Sequence, residues 1–342
     1  RRISRNARKK ASCTTSSATV VKVSTVTPRF CACCGRPMNP CPVCGQNNRA
    51  AAHFCRKCRT GLHAGEPASP ATPQPATPRA ETLNSRYVVS RVIGGGGRGR
   101  VYLASASDRP SQKLALKEMR VEGASAQDVA DFHREAQILE ALQHPNIVRV
   151  FDRFAQDGRE YLVMEYVEGH SLDRHALPLD DQMLLRVAFQ LADALGYLHT
   201  QSPPIIYRDL KPAMFEPSTG RIVLIDFGIA RFYRAGQKGD TRRMGTEGYA
   251  APEAYGRAQT DARSDVYSLG ATLHALATAQ SPSQSPLKLP HVRDLNPALP
   301  LALEKIIDKS VQLRPQSRFQ TMRELQEALA HCGRQIVRSR HR

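Results

Sequence analysis

The chain of 342 residues is too long for one domain of ordinary size and short for three. Hydrophobic residues at 41% and charged residues at 23% exclude wholesale disorder, and no apolar run approaches the roughly 20 residues of a membrane span. The net charge of +18 is lopsided: residues 1–79 carry 14 Lys and Arg against the single acid Glu66, while residues 80–342 carry 35 basic and 30 acidic residues. That distribution describes a basic arm on a near-neutral body, not a nucleic-acid-binding core. Six of the first ten residues are Arg or Lys and no apolar block follows, so no secretory signal is visible and a soluble, cytoplasmic protein is expected.

Residues 1–30 hold eight Lys or Arg, ten Ser or Thr and no acid, a composition that cannot bury a core. A solvated basic tail is expected, and organellar transit segments share the composition. Residues 31–62 are a cysteine block with the pairs Cys31/Cys34, Cys41/Cys44 and Cys55/Cys58, each spaced Cys-x-x-Cys. Cys41, Cys44, Cys55 and Cys58 can set four thiolates at the corners of a tetrahedron, which Zn²⁺ accepts without strain. So short a block cannot fold on apolar burial alone, so the metal would supply most of its folding energy. The chain's nine cysteines are an odd number and nothing marks it as secreted, which weighs against a disulfide framework. Cys31 and Cys34 are half of a second candidate zinc site, to be completed by Cys33, Cys13, His53 or His63, or they hold nothing. A ribbon of this kind grips protein or nucleic acid. With Phe30 the lone aromatic of the tail, base stacking has little support and a protein partner is favoured. Residues 63–85, with Pro67, Pro70, Pro73, Pro75 and Pro78, read as a semi-rigid extended linker.

From residue 86 the texture changes. Strand-like runs come first, amphipathic helical runs follow after about Gln127, and the part beyond Leu179 is richer in helix. The pattern predicts an α+β body with a small sheet-rich lobe and a larger helical one. Gly94-Gly95-Gly96-Gly97-Arg98-Gly99 falls between the strand-like runs Tyr87–Ile93 and Val101–Ala104. A glycine loop between strands can lay its N–H groups over phosphates, whereas a dinucleotide fold would follow the glycines with a helix. Taken alone, it equally fits a flexible hairpin turn. Lys117 then ends the strand-like run Leu114–Leu116, and Glu135 lies in the amphipathic segment Phe132–Leu142, where it could pair with that Lys.

Tyr207-Arg208-Asp209-Leu210-Lys211-Pro212, Asp226-Phe227-Gly228 and Ala251-Pro252-Glu253 follow in that order. Together with the glycine loop, Lys117 and Glu135, these motifs make residues 86–331 resemble the protein kinase family. The resemblance implies the family's two-lobed fold, here preceded by a small zinc ribbon, and transfer of the ATP γ-phosphate to Ser or Thr hydroxyls of protein substrates. It places Gly94, Gly96, Gly99 and Val101 around the nucleotide, Lys117 on the α- and β-phosphates aligned by Glu135, and the backbone of Glu165 and Val167 on adenine. Asp226 would hold Mg²⁺, Asp209 would accept the substrate proton, and Lys211 would neutralise the γ-phosphate. Asp-Leu-Lys-Pro and Gly245-Thr246-Glu247-Gly248-Tyr249 resemble the serine/threonine branch. Asp265 and the pair Arg318–Glu253 are expected to be structural braces, and His144-Pro145-Asn146 a turn.

One departure is serious. Five residues after the catalytic Asp the family places an Asn that binds a second Mg²⁺; this chain has Met214, a soft ligand for a hard cation. Lys211-Pro212-Ala213-Met214-Phe215-Glu216 reads like the family's Lys-Pro-Ala-Asn-Ile-Met-Phe-Glu with two residues lost. Glu216 stands as a substitute ligand. Arg208 beside Asp209 suggests control by phosphorylation, with Thr241 the expected phosphosite, and residues 332–342 read as a basic C-terminal tail. Three readings follow: a kinase with a regulatory or docking ribbon, a pseudokinase acting as a nucleotide-responsive scaffold, or a zinc-ribbon nucleic-acid-binding protein.

Overall fold

The chain divides into two units, residues 1–77 and 78–342. The computed structural model describes residues 38–40, 47–49, 82–96, 99–121, 123–211, 213–233, 245–256 and 259–340. All six paired cysteines of the expected ribbon, and Thr241, lie outside the described residues. In the first unit β1 (Met38–Pro40) and β2 (Asn47–Arg49) pair antiparallel, with Pro40 opposite Asn47.

The second unit opens with a six-stranded antiparallel sheet. Its strands are β3 (Thr82–Leu83), β4 (Tyr87–Gly96), β5 (Gly99–Ala106), β6 (Arg109–Arg120), β7 (Val150–Gln156) and β8 (Arg159–Glu165), in the order β3-β4-β5-β6-β8-β7. Alternation along β6 builds both of its faces. Leu114 and Leu116 bury against Leu83, Tyr87, Tyr161 and Val163, while Ala115 and Met119 point to the main core. Lys117 shares the second face.

Between β6 and β7 runs α1 (Ala126–Glu140). Ser125 starts it with a capping box, its hydroxyl accepting from the Asp128 N–H while the Asp128 carboxylate accepts from the Ser125 N–H. The helix buries Phe132, Ala136, Ile138 and Leu139, and with them Glu135, an acid on an apolar face.

The rest is mainly helical. β9 (His170–Ser171), β11 (Met214–Glu216) and β12 (Arg221–Val223) form a three-stranded sheet, and β10 (Ile205–Ile206) pairs with β13 (Arg231–Phe232). Around them pack α2 (Asp181–His199), α3 (Ala262–Thr278), α4 (Val292–Leu295), α5 (Leu301–Ser310) and α6 (Met322–Arg340). α3 is buried along nearly its whole length and touches α2, α5 and α6. α6 continues through residues that composition alone presents as a tail. Cys332 and Ile336 prolong the buried stripe Met322, Leu325, Leu329 at helical spacing, and burial outweighs the local charge.

Two buried polar devices fix the lobe. The N–H groups of Tyr207 and Arg208 donate to Asp265 at 2.9 and 2.8 Å, and His199 Nε2 donates to the same carboxylate at 2.8 Å. Asp265, fully buried on α3, thus holds the backbone that carries Asp209. The second device is Arg318, bidentate to Glu253 at 2.7 and 2.9 Å, with further bonds to the carbonyls of Gln312, Arg263 and Leu313. Burial alone would raise the Glu253 pKa, but Arg318 outweighs it and the net shift is downward. Its folded pKa is depressed, so this stabilisation is present above the ordinary carboxylate range and is lost only as pH falls through the lower folded value.

Removing one partner strands a buried charge. Arg318→Met is expected to cost about 3–5 kcal/mol in urea unfolding, and a loss under about 1 kcal/mol would contradict the brace.

Candidate active site

The site lies where the sheet, α1 and the three-stranded sheet converge. Lys117 Nζ donates to both Glu135 oxygens at 2.6 Å. Glu135 is only 3% exposed, so its charge is tolerable there because the ammonium meets it in full. The same Nζ lies 3.9 Å from Asp226 Oδ1. One cation thus ties the sheet and α1 to the segment that follows β12.

The glycine loop is the turn between β4 and β5, with Gly94 opposite Val101 and Gly96 opposite Gly99. Gly99 is required by close approach: a Cβ there would sit 1.9 Å from the Glu118 carbonyl oxygen on β6. Ile93, Val101 and Met214 pack against the cluster that contains Ala115, Met164 and Val167. Met164 lies near the end of β8 and Val167 just beyond it, where the sheet leads to the helical part. There the Glu165 N–H donates to the Arg149 carbonyl at 2.8 Å, and the Glu165 carboxylate pairs with Arg221 of β12.

Asp209 faces this region from the helical side. Its Oδ1 accepts from the Thr246 hydroxyl at 2.7 Å and the Thr246 N–H at 3.1 Å, and its Oδ2 lies 3.1 Å from Lys211 Nζ. Lys211 also stands 3.7 Å from Asp226 Oδ2. The two aspartates therefore share one lysine, while Asp226 faces a second. Burial disfavours the Asp226 carboxylate, but Lys117, Lys211 and the Gly228 N–H outweigh it and hold its pKa below the usual value. Burial also works against the Lys211 ammonium, and Asp209 and Asp226 more than compensate, raising it. The Tyr207 ring meets Phe227 edge-on at 4.9 Å, and burial, reinforced by Asp226 and Asp209, pushes its phenol well above the ordinary range. Tyr207 is a neutral wedge at neutral pH, not an acid or base.

Met214 pairs with Val223 on one side and Ser171 on the other, as an interior residue of the three-stranded sheet. Glu216 is not available as a substitute ligand. Its carboxylate accepts from Thr219 Oγ1 at 2.6 Å and from Arg221 Nε at 3.2 Å, on the side of the connection to the sheet. Arg221 neutralises Glu216, which opposes a swing toward a metal.

The structure therefore brings Lys117, Glu135, Asp209, Lys211 and Asp226 to one place, with Lys117 opposite Val101 at the start of β5. Arg221 was not foreseen: it joins Glu165, Glu216 and the Pro145 carbonyl, three partners from separate parts of the chain. No local spacing signals such a residue.

Comparison with known proteins agrees with this geometry. The sequence pattern of the protein kinase domain matches residues 87–332. The serine/threonine-protein kinase PrkC of Bacillus subtilis is 32% identical over 263 residues, covering 71% of this chain and 40% of the relative. The serine/threonine-protein kinase PknJ of Mycobacterium tuberculosis is 35% identical over 278 residues, covering 73% of this chain and 46% of the relative. This chain thus spans less than half the length of those curated relatives. Among solved structures, the Mycobacterium tuberculosis PknI kinase domain superposes with a TM-score of 0.59 at 29% identity, covering 74% of this chain and 98% of that one. No helix among the described residues is long and apolar enough to cross a membrane. On its motifs, its site and these likenesses, the chain belongs to the protein kinase family.

Proposed function

We propose that the chain is a serine/threonine protein kinase that transfers the ATP γ-phosphate to hydroxyls of protein substrates. The observation that carries this reading is the joined set Glu135–Lys117–Asp226–Lys211–Asp209, in which every charge is met by an opposite one. The residues present fit a nucleotide: partly buried Ile93, Val101 and Met214 for a base, a glycine turn for phosphates, and Lys117 fixed by Glu135. They fit one Mg²⁺ as well, because the Asp226 pKa is lowered and its side chain is 46% exposed. They do not fit a second, because the position that would supply its oxygen is Met214, built into a sheet.

Bound ATP with Mg²⁺ supplies the transferable phosphoryl group and screens its charge. The chain's own residues do the positioning. Lys117 holds phosphate oxygens in a place set by Glu135, and Asp226 presents its carboxylate to the metal. Asp209 orients the acceptor hydroxyl and takes its proton at a carboxylate oxygen. Lys211, between the two aspartates, offers its positive charge to the phosphoryl in transit. Thr246, bonded to Asp209, keeps that carboxylate turned to the acceptor.

One observation favours the second reading, a nucleotide-responsive scaffold that no longer transfers phosphate. Against the family pattern it resembles, the Lys211–Met214 link is two residues short, the metal-binding Asn among them. Phosphate incorporation from Mg²⁺-ATP decides between them. The purified chain is expected to label itself or a generic protein substrate, and Asp209→Ala to lose at least about a hundredfold in rate. Labelling only after Asn-Ile is inserted between Ala213 and Met214 would establish the scaffold reading. Lys117→Ala should also abolish the thermal protection given by ATP, and unchanged protection would place the nucleotide elsewhere.

The reading includes a zinc ribbon in residues 31–62, with Cys41, Cys44, Cys55 and Cys58 as ligands and Cys31 and Cys34 in a second candidate site. Support comes from the spacing, and from β1 ending at Pro40 just before Cys41 while β2 starts at Asn47 just past Cys44 and Gly45. The ribbon would dock or regulate a protein partner in the cytoplasm; the expected linker of residues 63–85 gives way to the kinase sheet already at β3, and the body expected over 86–331 continues through α6 to Arg340. Chelation is expected to release at least one Zn²⁺ per chain and leave the body's melting transition in place. A metal-free preparation would end this part of the proposal.

A further inference from the structure

Glu118 follows Lys117 on β6, and strand alternation turns its carboxylate to the opposite face, that of Leu114 and Leu116. Its side chain is only 1% exposed there. Three groups converge on Oε2: the Tyr102 hydroxyl donates at 2.8 Å, Arg159 at 3.1 Å, and the Tyr161 hydroxyl stands at 3.5 Å. Oε1 is buried without a hydrogen bond, with Arg120 Nε 3.7 Å away. A face that packs Leu114, Leu116, Tyr161 and Val163 together would be served better by an apolar side chain, which brings no charge to desolvate. An acid in that place calls for a reason other than stability.

The bond to Tyr102 supplies one. Tyr102 follows Val101 on β5, and Val101 is opposite both Gly94 of the glycine turn and Lys117. Glu118 meets β5 a second time through its backbone. Its Cα partner is Arg100, and its carbonyl oxygen lies against Gly99, where a Cβ would come to 1.9 Å. The carbonyl and carboxylate of one residue thus grip β5 on either side of Val101. Burial and the Glu118 carboxylate raise the Tyr102 phenol above its ordinary pKa, with Arg100 working against them, so the hydroxyl is the donor at neutral pH. The turn needs such a grip, because Gly94, Gly95 and Gly96 restrain its other strand little.

We infer that Glu118 is a positioning residue for the glycine turn, acting through the Tyr102 hydroxyl to fix the strand that leaves the turn before a nucleotide binds. This deepens the kinase reading and rests on it. Lys117 and Glu118 use the two faces of one strand: the first meets Glu135, and the second holds the turn proposed to cover the phosphates. The strand is ordered on folding rather than on binding ATP, so losing the bond weakens nucleotide affinity. The transfer step is untouched, because Asp209, Lys211 and Asp226 take no part in this cluster.

The test uses the full chain and two readouts: the Kd of a fluorescent ATP analogue, which needs no transfer, and KM for ATP set against kcat. Tyr102→Phe removes only the hydroxyl and is expected to raise Kd and KM about fivefold, the worth of an ordinary hydrogen bond, with kcat unchanged. Glu118→Met should do the same, and the double variant no more than either. Glu118→Gln, which keeps an acceptor, should recover most of the loss. Tyr161→Phe is the matched control. It also takes a hydroxyl from beside Glu118, but on β8, across β6 from the turn, and should change neither readout. Unchanged nucleotide affinity in Tyr102→Phe, or an equal loss in Tyr161→Phe, overturns the proposal. A chain that shows the expected order of affinities but transfers nothing upholds Glu118 and contradicts the kinase reading instead.

Discussion

The site depends on a buried acid that cannot stand alone. Glu135 sits on the apolar face of α1 among Phe132, Ala136 and Leu139, where an unpaired carboxylate would be expelled or protonated. Lys117 meets both of its oxygens, and the pair fixes α1 to the sheet at one register. That constraint extends to the chemistry, since the same ammonium faces Asp226, which faces Lys211, which faces Asp209. Within that chain of alternating charges Lys117 and Lys211 lower the Asp226 pKa against burial, and Asp209 and Asp226 raise that of Lys211.

In the proposed reading Met214 leaves the site with one metal, and the chain of charges does not involve it. Between Ala213 and Met214 the family pattern has two more residues; here the strand begins at once and Met214 takes a place in the sheet and against the apolar cluster. An apolar residue in a sheet is well served there, and on the proposed reading a metal ligand is what the shortening gives up. Bracing of the catalytic loop from below survives, because Asp265 holds the N–H groups of Tyr207 and Arg208 through a contact that does not involve the lost residues.

Residues whose chemistry demands a fixed type at a fixed local spacing could be read directly from the sequence. Asp209 and Lys211, two apart on one loop, are of this kind and do lie together; Gly99 was readable only as a loop glycine for phosphates, and its close approach to the Glu118 carbonyl comes from the fold. Glu135 was readable as an acid on an apolar helix face. Partners brought together across long stretches were not. Arg221 reaches Glu165, 56 residues away, and nothing in the segment around it foretells this. The same guanidinium neutralises Glu216, a carboxylate that local sequence leaves looking free. The end of α6 was hidden because its Arg residues outnumber the two buried side chains, Cys332 and Ile336, that keep it helical. The cysteine block has the opposite standing: its spacing speaks for a metal, and it lies outside the described residues.

The central claim is a nucleotide site built around one metal carboxylate, Asp226. Counting Mn²⁺ by electron spin resonance, with the purified chain and a non-hydrolysable ATP analogue, addresses it most directly. One tightly held Mn²⁺ per nucleotide, lost in Asp226→Asn, is the predicted result. Two per nucleotide would mean that another oxygen replaces the missing Asn, contradicting the role assigned to Met214.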